Sequence, residues 1–110
     1  MLFRSPNHWL VAAGGDAPPV SLPMTADEAA NKLAAIAQAT PQTELLAGQG
    51  LHSTWITHTA IMGYPDYTSI TVTPTATGSE VTIYARSRFG YSDFGVNRAR
   101  VESWMKQLAQ

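Results

Sequence analysis

The part of the chain best equipped for chemistry is a polar run over residues 86–102, which reads Arg-Ser-Arg-Phe-Gly-Tyr-Ser-Asp-Phe-Gly-Val-Asn-Arg-Ala-Arg-Val-Glu. It holds four of the seven basic residues of the chain. Guanidinium groups bind carboxylates and phosphates through paired hydrogen bonds, and the N–H groups at a helix start also attract anions. The run therefore predicts a site for a small anionic ligand or a protein partner. The candidate binding residues are Arg86, Arg88, Ser92, Asp93, Asn97, Arg98 and Arg100.

A purely structural role competes with this interpretation. The run predicts a strand, a loop bracketed by two glycines and a helix, and Ser92, Asp93 or Asn97 suits the cap of that helix. Basic residues near a helix N-terminus oppose its dipole, so nearby acids such as Glu102 would neutralise them. In that case the run holds the helix against the sheet.

An enzymatic alternative places a small hydrolase or lyase site on the loop Tyr91-Ser92-Asp93. A serine nucleophile needs a base within hydrogen-bond reach, usually histidine, and no histidine lies near the loop in sequence. The loop also lacks the Gly-x-Ser-x-Gly pattern of the nucleophile elbow. The sequence thus favours a non-enzymatic binding or structural module, with no catalytic residue assigned.

Metal and cofactor chemistry has little support in the sequence. The chain has no cysteine and three histidines. His52 and His58 share a predicted strand face, but six residues of extended chain separate them by about 20 Å, too far for one metal ion. Asp66 is isolated in sequence and is interpreted as a solvated carboxylate. We therefore predict no metal and no cofactor.

Composition indicates one soluble domain over residues 1–110. Apolar residues make up 45% and charged residues 14%, and no window approaches the roughly 18 apolar residues of a membrane span. The net charge of −1 argues against nucleic-acid binding. Charge is uneven, however: the last 25 residues carry five basic and two acidic residues, so one end of the fold is expected to be locally positive.

The elements that must position the polar run follow from periodicity. Residues 1–24 are rich in proline and glycine and are predicted to be irregular, with Val20–Leu22 as a possible short edge strand. The core is expected over residues 25–110. A helix over residues 25–40 begins with a capping box formed by Thr25 and Glu28. A second helix over residues 97–108 carries an apolar stripe.

Three strands are predicted between the helices. Residues 51–61 are rich in Thr, Ile and Trp, although the pattern does not decide which face is buried. Ile70 and Val72 alternate with polar residues, and after a hairpin loop at residues 75–79 the strand with Val81, Ile83 and Ala85 has the clearest alternation. The predicted fold is α+β: an antiparallel sheet of three to four strands with two helices on one face, in the order helix, three strands, helix. An assembly role through an exposed edge strand remains open.

The run over residues 86–102 resembles the signature of domain-of-unknown-function family 1499, a family of bacteria and plastids. Ser5-Pro6-Asn7 and Tyr64-Pro65-Asp66-Tyr67 add to the resemblance, which covers nearly the whole chain. It implies no assigned activity. It does imply a small cell-envelope domain, because such members often follow a lipoprotein signal or a membrane anchor. Residues 1–4 here do not form such a segment, so we expect a soluble chain whose envelope location rests on the resemblance alone.

Overall fold

A computed structural model describes residues 8–58, 65–87 and 95–110 of the chain. In these ranges two helices and six strands form an α+β fold, which confirms the predicted class. In chain order the elements are β1 (His8–Val11), β2 (Val20–Leu22), α1 (Ala26–Ala39), β3 (Thr43–Gln49), β4 (His52–His58), β5 (Pro65–Thr75), β6 (Gly78–Ser87) and α2 (Val96–Leu108).

All strands belong to one antiparallel sheet with the order β1-β6-β5-β4-β3. The centre is the long hairpin of β5 and β6, which pairs from Asp66 with Ser87 to Thr75 with Gly78. The two short strands β1 and β2 both pair with β6, one after the other along its length. Arg86 of the candidate site therefore lies on an inner strand, between β1 and β5.

The predicted strand count and element order were wrong. The described residues hold six strands rather than three to four, and β1 and β2 precede the first helix. Residues 1–24 were predicted to be irregular because proline and glycine interrupt them, yet β1 and β2 both pair with β6. The short edge strand predicted at Val20–Leu22 is confirmed as β2, whereas β1 was missed. Strand β3 was missed because its sequence, Thr-Glu-Leu-Leu-Ala-Gly-Gln, shows no alternation. It lies at the edge of the sheet, where few of its side chains are buried, so burial does not require an alternating pattern.

Both helices cover the same face of the sheet and form the core with it. On β5 and β6 the apolar side chains predicted from the alternation are buried, namely Ile70, Val72, Val81, Ile83 and Ala85. The same strands also bury Asp66, Thr68 and Ser79, which the sequence did not predict. For β4, where the sequence left the face undecided, the register buries Ser53, Trp55 and Thr57. From the helices, the fully buried side chains include Leu33, Val101, Trp104 and Leu108.

Helix α1 begins as predicted. Thr25 is its N-cap, and the Thr25 hydroxyl accepts a hydrogen bond from the backbone N–H of Glu28 at 3.1 Å. Helix α2 begins differently, because its N-cap is Gly95 in the left-handed conformation (φ 78°) with no side-chain cap bond. Asn97 as a cap was thus wrong: it lies inside the helix and is fully buried. Neither helix of the described residues has the length and apolar character needed to cross a membrane.

Candidate functional site

Arg100 does not lie on the surface but forms a buried ion pair with Asp66. The Nη2 group of Arg100 on α2 donates to Oδ2 of Asp66 on β5 at 2.8 Å, and the two side chains are 7% and 5% exposed. The interpretation of Asp66 as a solvated carboxylate was therefore wrong. The partner that neutralises it lies 34 residues away in sequence and is brought in by the packing of α2 on the sheet.

Two further side chains close this ion pair into a hydrogen-bonded ring. Asn97 accepts from Nη1 of Arg100 at 2.9 Å and donates to Oγ of Ser87 at 3.0 Å. The Ser87 hydroxyl in turn donates to Oδ1 of Asp66 at 2.7 Å. We call Asp66, Ser87, Asn97 and Arg100 the buried ring. It joins α2 to the ends of β5 and β6, and buried polar groups satisfied in this way specify one packing arrangement.

A sequence signal for the buried ring exists in helix periodicity. The apolar stripe of α2 contains Leu108, Trp104 and Val101, and one further turn towards the N-terminus reaches Asn97 and Arg100. Residues spaced by three and four share one helix face, so both polar side chains are expected to face the core. The alternation of β5 and β6 gives a weaker signal for Asp66 and Ser87, which share a face with Ile70 and with Ala85, but only the pairing of the two strands places them side by side.

Arg98 lies on the exposed side of α2 and is already paired. Its Nε donates to Oε1 of Glu102, one turn later, at 2.9 Å, and both side chains are 58% exposed. The guanidinium carbon also lies 4.5 Å from the ring centroid of Trp9 on β1. The Arg98 guanidinium therefore already interacts with an aromatic ring and with an acid of the same chain.

Arg86 occupies a different place, on the sheet face that neither helix covers. Its guanidinium carbon lies 4.8 Å from the ring centroid of Tyr84 and 5.7 Å from that of Tyr67. Its Nη1 donates to the Ser69 hydroxyl at 3.0 Å and to the Tyr84 carbonyl at 3.1 Å. The ring of His8 meets Tyr84 edge-on at 5.9 Å. We call His8, Tyr67, Ser69, Tyr84 and Arg86 the open-face cluster.

The predicted site residues are thus distributed over three places. Asn97 and Arg100 lie together in the buried ring, Arg98 lies on the surface of α2, and Arg86 lies on the opposite face of the sheet. Arg88, Ser92 and Asp93, with Tyr91 of the enzymatic alternative, lie outside the described residues. Residues 8–58, 65–87 and 95–110 contain no group of three His, Asp or Glu side chains placed to hold a metal ion.

Among the arginines that the structure describes, Arg86 is the one without a carboxylate partner. Arg98 pairs with Glu102 and Arg100 pairs with Asp66. Of the two tyrosines beside Arg86, Tyr84 is accessible, with 40% of its surface exposed, and Tyr67 is half-buried. A cation supported by rings and a hydroxyl on an accessible face can accept an anion from solution.

Beside the buried ring, the hydroxyl of Thr68 has no hydrogen-bond partner among the described residues. Thr68 follows Asp66 by two residues on the same sheet face and is fully buried. A buried hydroxyl without a partner costs about 1–3 kcal/mol. We expect Thr68→Val, which keeps the shape, to raise the free energy of unfolding by about 1 kcal/mol, measured by urea denaturation.

The matched control is Thr57→Val, since Thr57 is also buried but its hydroxyl is 2.8 Å from that of Thr43. This variant is expected to lower the free energy of unfolding by about 1 kcal/mol. Equal losses of stability in the two variants would contradict the assignment of Thr68 as unsatisfied.

The comparisons with known proteins concern the whole chain rather than this site. No curated protein and no solved structure matches the sequence. A family model with the description "Protein of unknown function (DUF1499)" matches residues 3–108, nearly the full length, as the resemblance of the polar run had indicated. The chain therefore belongs to the DUF1499 family of proteins of unknown function.

Proposed function

We propose that this protein is a non-enzymatic binding module that takes a small anionic ligand at Arg86, on the open face of its sheet. The observation that supports this proposal is which of the described arginines already have a carboxylate partner. In the described ranges, Arg98 and Arg100 have carboxylate partners and Arg86 has none. Within the polar run, Arg86 is thus the described arginine that has no carboxylate partner among the described residues.

The surroundings of Arg86 favour binding because they hold the guanidinium in place before a ligand arrives. Tyr84 and Tyr67 flank it, and Ser69 accepts one of its hydrogen bonds. Both bonds that it makes to described residues start from Nη1. The Nη2 and Nε donors therefore remain for a ligand, and this edge of a guanidinium matches the two oxygens of a carboxylate or phosphate.

The chemistry of the open face indicates the size and class of the ligand. The cluster offers one arginine and a histidine among hydroxyl and aromatic groups, and the whole chain has a net charge of −1. Such a surface suits a ligand with one carboxylate or phosphate and a flat or apolar body that lies on Tyr84. A long polyanion would need a more extensive basic surface. Arg88, Ser92 and Asp93 stay predicted members of the site.

The proposal predicts anion-dependent stabilisation that needs Arg86. We would measure thermal unfolding with increasing inorganic phosphate, citrate and benzoate, at constant ionic strength. A ligand at one hundred times its Kd adds about 2.7 kcal/mol to the free energy of unfolding, and each kcal/mol raises Tm by about 4–8 °C in a domain near this size. We expect a shift of this kind in the wild type and its loss in Arg86→Gln.

The matched control is Arg98→Gln, which removes the same charge from an arginine that is already paired with Glu102. It should respond to the anion as the wild type does. The proposal fails if no anion shifts the wild type, or if Arg86→Gln keeps the full shift. If both variants lose the response, the effect depends on net charge rather than on a site, which also overturns the proposal.

A further inference from the structure

Strand β3 forms one edge of the sheet and is unusually open. It pairs with β4 on one side, and among the described residues no strand lies on its other side. Six of its seven residues are exposed. Leu45 and Leu46 are 45% and 53% exposed, and with Tyr84 they are the large exposed hydrophobic side chains of the described ranges.

The composition of β3 offers weak protection against pairing. Proteins block edge strands with lysine, proline, short length or bulges. This strand spans seven residues and contains no lysine, arginine or proline; its one charge is Glu44. A register shift between Leu45 and Ala47 leaves Leu46 out of the pairing with β4, so this irregularity is the one protective feature that β3 has, and it places no charge on the edge.

The opposite edge of the sheet is protected. There β1 has four residues and β2 has three, and the segment between them contains two glycines and two prolines. A head-to-tail contact between β3 of one copy and this edge of another would pair a long strand with two short, interrupted ones. When β3 pairs with β3 of another copy about a two-fold axis, both strands are paired over their full length. The assembly then stops at a dimer, because the same edge is used by both copies.

We propose that β3 pairs antiparallel with β3 of a second copy of this chain, which joins the two sheets into one. The inference is independent of the anion site, because the open-face cluster lies on inner strands and β1. We assign the pairing partner as a second copy because two β3 strands can pair without placing like charges opposite each other. With the two-fold axis at Leu46, the apolar side chains meet at the centre and each Glu44 faces Gly48 of the other copy.

This register also avoids repulsion between like charges. The two Glu44 residues then lie four residues apart along the strands, which is about 13 Å at 3.3 Å per residue. That separation exceeds the Debye length of about 8 Å at physiological ionic strength. Leu46 facing Leu46 buries two side chains that are half exposed in the single chain.

The absence of cysteine from the whole chain allows a direct test of this contact. A single introduced thiol can form a disulfide only with another copy. We expect Leu46→Cys to form a covalent dimer in mild oxidant roughly ten times faster than Thr73→Cys, or more, since pairing raises the effective concentration of facing thiols. Thr73 is the matched control because it is exposed on the central strand β5.

Sedimentation equilibrium of the unmodified chain and of Leu46→Lys supplies the second readout. We expect a concentration-dependent dimer in the wild type and a Kd for dimerisation raised at least about tenfold in Leu46→Lys, since lysine blocks edge pairing. Circular dichroism checks that the variant is folded. Monomer mass at all concentrations overturns the proposal. A dimer unaffected by Leu46→Lys, with equal cross-linking of the two cysteine variants, also overturns it and indicates contact elsewhere.

Discussion

We expect Arg100→Met to lower the free energy of unfolding by about 3–5 kcal/mol, the cost of removing one partner from a buried ion pair. Methionine fills much of the volume of the arginine stem, so the loss comes mainly from charge. Asp66 would keep its hydrogen bond from Ser87 but lose the guanidinium at 2.8 Å, which leaves a carboxylate 5% exposed without a counter-ion. Urea denaturation followed by circular dichroism measures the change.

Arg98→Met is the matched control, because Arg98 lies on the same helix two residues earlier and its ion pair is exposed. It should cost no more than about 1 kcal/mol. The double variant Asp66→Leu with Arg100→Met should recover part of the loss, since it leaves no unpaired buried charge. Recovery is incomplete because Ser87 and Asn97 each lose one hydrogen-bond partner. Equal losses for Arg98→Met and Arg100→Met would contradict the buried ring as a stabilising contact between α2 and the sheet.

We expect Trp104→Ala to lower the free energy of unfolding by about 3–5 kcal/mol, as for other large side chains removed from a core. Trp104 on α2 is 1% exposed and belongs to the core between the helices and the sheet. Its indole N–H also donates at 3.0 Å to the hydroxyl of Thr40, the C-cap residue of α1. The variant therefore creates a cavity and removes the hydrogen bond that links the end of α1 to α2.

Comparison with Trp104→Phe separates these two effects. Phenylalanine fills part of the cavity but cannot donate to Thr40, so its cost should be clearly smaller. Trp9→Ala is a second control, because Trp9 is only partly buried at the edge of the core. Far-UV circular dichroism is the suitable signal, since each variant alters tryptophan fluorescence. A cost for Trp104→Ala below that of Trp9→Ala would contradict the central position of Trp104.

Local patterns predicted the elements in which burial alternates along the chain. Ile70, Val72, Val81 and Ile83 alternate with polar residues, and the structure buries all four. The cap of α1 at Thr25 was equally predictable, because a cap depends on residues three positions apart. Strands β1 and β3 carried no comparable signal. They are short or exposed, and their conformation depends on the neighbouring strand with which they pair.

The candidate site was predictable as a set of residues but not as an arrangement. The polar run drew attention to Arg86, Asn97, Arg98 and Arg100, and the structure assigns them to three different surroundings. The reason is geometric. Arg86 leaves β6 on the side away from the helices, whereas Arg100 leaves α2 towards the sheet. The described arginines therefore lie in different places, although they are close together in the sequence.

Local patterns in the chain were enough to predict the α+β class, the family, the first helix and the alternation of the central hairpin, because each depends on short-range periodicity or on a specific run of residues. The folded arrangement was needed to show that Asp66 is buried with Arg100. It was also needed to show that, among the described residues, Arg86 has no acid beside it and β3 has a strand on one side only. Charge pairing and strand order depend on contacts between residues far apart in the chain, and no local pattern encodes which distant partner a side chain meets.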